Sequence, residues 1–179
     1  MKKRWLLLIV TIMLGLILLA GGLLVYISPD EELTMDYEPV KLEQKVLDMV
    51  RNFKPEVVLN ESDINTLIKA NMDRQLHEDV YVDGAHFQVA DNQLYAKLNV
   101  TLRDAVKAEV TAVYAIMWEE PNLMLEPVAL KLKNMNLPVN WLNEINVPIY
   151  DPANSVIAIE SVNTRGTELI IKLKFSMFG

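Results

Sequence analysis

The feature that most constrains this chain is a run without a charged residue, from Trp5 to Ile27, broken only by Thr11, Gly15, Gly21 and Gly22. Its 23 residues, at about 1.5 Å each, span roughly 35 Å as a helix, enough for a hydrocarbon core of about 30 Å. A cleavable signal peptide has a shorter core of about 7 to 15 residues and ends in a small-x-small site. This run closes on Val25-Tyr26-Ile27-Ser28-Pro29-Asp30, which holds no such site. It reads as an uncleaved, single-pass anchor. Lys2, Lys3 and Arg4 precede it, and basic flanks stay in the cytoplasm, so the N-terminus is expected inside and the rest extracytoplasmic. Trp5 and Tyr26 mark its two ends, where aromatic rings favour the interface.

Charge then narrows the partners. Those three bases belong to a total of 17, and the other 14 stand against all 24 acids of the chain. An acidic body excludes a nucleic-acid partner, because Lys and Arg on phosphates supply most of that affinity. There is no cysteine, which removes disulfides, thiolate metal sites, thiol catalysis and lipoprotein-type acylation.

The chain divides into residues 1–27, a cytoplasmic stub and anchor; 28–39, an acidic stalk with two prolines; and 40–179, an extracytoplasmic domain. From Lys41, the residues Leu42, Val46, Met49, Val50 and Phe53 make one apolar stripe of an amphipathic helix, which Lys54-Pro55 ends. Glu56 to Leu59 is short and extended. Asn60 then caps a second amphipathic helix, with Glu61 and Asp63 on its positive dipole end and Ile64, Leu67, Ile68 and Met72 as its buried face.

Beyond residue 80 the period becomes two. Ala85, Phe87 and Val89, a turn at Asp91-Asn92, then Leu94, Ala96, Leu98, Val100 and Leu102 describe a hairpin with one dry face. Strands follow at Val106 to Trp118, Leu123 to about Lys133, Ser155 to Val162 and Glu168 to Phe175, with a short helical crossing at Asn136 to Leu142. The expected fold class is α+β: a transmembrane helix, two amphipathic helices and a long antiparallel sheet of about six strands.

One strand is apolar on both faces. Val106 to Trp118 alternates at first, but Val113, Ala115 and Met117 fill the positions where Lys107, Glu109 and Thr111 began the polar face. A second cover is needed there: a helix, the Trp141 segment, or an apolar ligand in a groove. On the ligand reading, Val113, Ala115, Met117, Trp118, Met124, Leu125 and Trp141 line the groove, with methionine as an adaptable wall.

Chemistry is otherwise sparse. His77 and His86 stand nine apart among Glu78, Asp79 and Asp83, a spacing that fits neither one helix face nor a zinc motif. No serine sits in a G-x-S-x-G or S-x-x-K pattern, and no glycine-rich phosphate loop occurs. Glu119-Glu120 and Asp30-Glu31-Glu32 occupy a turn and the stalk. Two glycosylation sequons, at Asn60 and Asn99, carry no weight alone. No enzyme, no metal and no cofactor is expected.

Three motifs in order, Val58-Leu59-Asn60-Glu61-Ser62-Asp63-Ile64-Asn65-Thr66-Leu67-Ile68, Leu137-Pro138-Val139-Asn140-Trp141-Leu142 and Val147-Pro148-Ile149-Tyr150-Asp151-Pro152, follow the anchor and precede a closing hairpin. That order resembles the YpmS-like family of Gram-positive membrane-anchored proteins over most of the chain. The resemblance implies cell-envelope location and architecture, and supplies no catalytic residues. In outline the chain is also similar to tubular extracytoplasmic lipid-binding domains, a likeness of architecture that does not license function. The expected role is non-catalytic binding of an apolar ligand, a lipid or lipid-linked precursor. The alternative is an accessory subunit docking on another envelope protein.

Overall fold

The apolar run folds as one helix, α1 (Lys2–Ile27), long and apolar enough to cross a membrane. Its side chains stay exposed, Val25 at 77% and Tyr26 at 51%, until Ile27 packs against the body. The helix therefore projects from the domain. The chain is described as a computed structural model over residues 2–39, 55–149 and 157–175.

After the stalk comes β1 (Glu56–Leu59), then α2 (Glu61–Asn71). The start of α2 is set by the expected cap: Asp63 N donates to Asn60 Oδ1 at 3.0 Å, and Asn60 N donates to Asp63 Oδ2 at 2.9 Å. That reciprocal pair satisfies two amides that the helix itself cannot. Ile64 and Ile68 face the core at 1% exposure each. The amphipathic helix expected from Lys41 lies outside the described residues, so the described chain has two α-helices where three were expected.

A curled antiparallel sheet follows: β2 (Gln75–His77), β3 (Val80–Ala90), β4 (Gln93–Leu102), β5 (Val106–Glu119), β6 (Asn122–Leu132) and β7 (Met135–Leu137), paired in that order. A short 3-10 turn (Val139–Trp141) leads to β8 (Ile145–Pro148), which also pairs with β6. Strands β7 and β8 thus share one edge of β6 in series, at Leu130–Leu132 and at Asn122–Leu125. The β3–β4 turn has positive φ at both Asp91 and Asn92, 50° and 60°, the backbone that matches a two-residue hairpin to strand twist.

The last hairpin, β9 (Ile157–Arg165) and β10 (Glu168–Phe175), does not extend this sheet. It joins β1 in a separate three-stranded sheet of order β1-β10-β9. The long sheet reaches seven strands, close to the six expected, through β2, β7 and β8 instead. Both sheets and α2 share one core: Phe87, Leu94, Leu98, Tyr114 and Leu125 from the long sheet, Ile64 and Ile68 from α2, Leu169 and Ile171 from β10. The sheet curls far enough for its edge regions to meet, since the His77 ring of β2 lies 5.1 Å from the Trp141 ring after β7.

Candidate functional site

Cross-strand partners project to the same face, so register sorts the expected groove residues. Val113 pairs with Tyr95 and Ala129, Ala115 with Gln93 and Glu126, and Met117 with Met124. These rows form the outer face, away from the core. Ile116 pairs with Leu125, and Trp118 with Leu123, on the inner face. Val113, Ala115, Met117 and Met124 are therefore brought together. Leu125, at 0% exposure, is ordinary core, and Trp118 leans on that core from the inner side. Trp141 belongs to the seam against His77, also on the core side. A pleated strand cannot put adjacent residues on one face, and this splits Met117 from Trp118 and Met124 from Leu125.

The outer strip is partly open to solvent. Met117 is 39% exposed, whereas Val113, Ala115 and Met124 are half-buried. A row of Lys97, Thr111 and Lys131 bounds the strip on the side nearer the β4–β5 turn. One row further, the stalk crosses the same face.

That crossing is a feature the sequence reading missed. Gly84, Asn99 and Glu109 lie in register across β3, β4 and β5. Asn99 Nδ2 donates to Glu31 O at 2.7 Å, and Ala85 N donates to Thr34 O at 3.3 Å. A side chain at Gly84 would overlap the Leu33 backbone, so only glycine admits the stalk there. At β5 and β6 the clasp is ionic. Lys133 Nζ stands 2.9 Å from Asp30 Oδ2 and 3.7 Å from Glu109 Oε1, and Lys97 Nζ 3.4 Å from Glu109 Oε2. Asp30 N donates to that same Glu109 Oε2 at 3.2 Å. The hydrogen bond from Lys133 holds the Asp30 carboxyl below its ordinary range, and the same bond raises the Lys133 ammonium. The only signal for this in the sequence was a glycine inside a strand pattern.

A cleft of about 480 Å³ opens where the stalk ends against α2, lined by Asp36, Glu38, Glu61, Ser62, Lys69 and His86 among others. His86 Nε2 lies 3.2 Å from Glu61 Oε1, with both side chains more than 40% exposed. Lys69 donates to Thr34 O and Asp36 O, and partial burial lowers its ammonium from the usual range. Asn65 works as structure here: Phe87 N donates to its Oδ1 at 2.8 Å and its Nδ2 donates to Phe87 O at 2.7 Å. The amide thus pairs with the β3 edge as another strand would. Ser62 lines the same cleft and forms no hydrogen bond with His86. Among the described residues, no group of three or more acidic or imidazole side chains is placed to hold a metal ion.

Comparison with protein-family models, with curated proteins and with solved structures finds no match to this chain.

Proposed function

We propose that this chain is a non-catalytic module, anchored by α1 with its folded domain on the extracytoplasmic side, that binds an apolar ligand on the outer face of β5 and β6. The observation that carries the reading is the strip of Val113, Ala115, Met117 and Met124: apolar, contiguous in register, on the face away from the core and open at Met117. Unbranched methionine fits chains of varied shape. A lipid or lipid-linked precursor is the ligand class that an anchor beside the bilayer would supply. The resemblance of the chain's motif order to the YpmS-like family supports a cell-envelope location.

The test is native mass spectrometry of the full chain released from its membrane, with a photoactivatable lipid crosslinked beforehand. A bound species of lipid mass, lost in Met117→Glu while the circular dichroism is unchanged, supports the reading. A stoichiometric protein adduct with no lipid replaces it with that of an accessory subunit. Because Met117 is open to solvent, the glutamate is expected to cost less than about 1 kcal/mol of stability.

A further inference from the structure

The β4–β5 hairpin overhangs its neighbours. Strand β6 stops pairing with β5 at Leu132 opposite Val110, so Val106–Glu109 run on without a β6 partner. Four residues of strand extend about 13 Å. Strand β3 follows the overhang to its end, Val80 pairing with Leu102 and Tyr81 with Thr101. At this tip Leu102, 42% exposed, lies in one row between half-buried Val80 and Val106, and Tyr81, 45% exposed, stands on the other face in the row of Thr101 and Lys107. Arg103 and Lys107 flank them, and Arg103 Nε meets Asp79 Oδ2 at 3.2 Å.

The anchor fixes where the root of this overhang sits. Helix α1 meets β5, and Asn134 Nδ2 of the β6–β7 turn donates to Tyr26 Oη at 3.4 Å. Asp30 is already bound to Glu109 and Lys133. Three residues after Ile27 reach at most about 10 Å. The root of the overhang is therefore tied within that distance of the end of the apolar run.

We infer that the tip of β3, β4 and β5 rests in the headgroup layer of the bilayer that α1 crosses, with Leu102 and Tyr81 as the side chains that enter it. This rests on the anchor reading above. The composition suits an interface. An aliphatic side chain and a tyrosine, whose ring is apolar and whose hydroxyl is wet, share the tip with long basic side chains that reach phosphates. Arg103 pairs with Asp79, while exposed Asp104 and Glu78 add negative charge at the same end, so the docking rests on the apolar side chains and not on attraction to anionic lipid. With the tip so placed, the outer strip begins at Val113, four residues or about 13 Å along β5 from the root at Glu109.

The absence of cysteine allows a direct test. Single-cysteine variants Leu102→Cys, Tyr81→Cys, Glu119→Cys and Ile17→Cys of the full chain are spin-labelled and reconstituted in phosphatidylcholine–phosphatidylglycerol vesicles. Collision with oxygen and with a water-soluble nickel chelate then reports depth. The expected result is an oxygen-to-nickel ratio several-fold higher at 102 and 81 than at 119, the opposite end of β5. Equal ratios at 102, 81 and 119, with the label at 17 in hydrocarbon, would overturn the docking and leave the anchor standing. A label at 17 open to nickel would overturn both.

Discussion

Gly84 shows how much one residue decides in this molecule. A strand interior ordinarily disfavours glycine, yet here the missing side chain is the space through which Leu33 passes. Gly84→Ala is expected to destabilise the domain by about 1–3 kcal/mol, the usual cost of overpacking, or to expel the stalk. Urea unfolding of the full chain in micelles measures the first. Faster proteolysis within residues 31–37 reports the second. The ionic half of the clasp has its own signature. Asp30 is depressed, so its contribution is present above its unfolded pKa and is lost as pH falls through the lower folded value. Lys133 is raised, so its contribution is full below the ordinary lysine range and is lost as pH climbs through the higher folded value. The protection of the stalk amides, taken relative to the intrinsic exchange rate at each pH, should therefore be greatest across the neutral range and fall at both extremes. In Lys133→Met, which removes the shared cation, that plateau of protection should disappear.

At the scale of elements, legibility followed locality. The Asn60 cap, the hairpin through Asp91-Asn92 and the long β5 were all readable, because each is written in contiguous residues with a full period or a turn signal. Strands β2, β7 and β8 have three or four residues each, too few for a period of two to stand out. The pairing of β1 with β10 joins residues more than a hundred apart, and nothing local announces such a partner. The candidate site divides on the same principle. Apolar character on both faces of β5 was visible, but which neighbour on β6 shares Met117's face depends on register, and a bulge between Val113 and Tyr114 shifts that register. The division is measurable. Leu125→Ala should cost about 2–4 kcal/mol, a cavity in closed core, and Met117→Ala less than about 1 kcal/mol. Comparable losses from the two in urea unfolding would show that the outer strip is packed like core.

For the whole molecule, the question is what keeps a curled sheet of short edges closed. The long strands β3 to β6 hold one another through extended ladders. Strand β2 contributes three residues at one edge, and the turn after β7 brings Trp141 from the other. The tilted contact of His77 and Trp141, at 38° between planes, is the described ring contact across that seam. Aromatic pairs of this geometry add about 0.5–1.5 kcal/mol beyond burial, which is small against the whole fold and large against a three-residue strand. Trp141→Ala is therefore expected to act locally. Hydrogen exchange should quicken in β2 and β7 by at least about ten-fold, matching a loss near 1.4 kcal/mol, while the amides of β4 and β5 keep their protection. Uniform quickening through β4 and β5 would mean that the seam and the core open as one unit. In that case Trp141 would rank with Leu125 among the residues that hold the fold together.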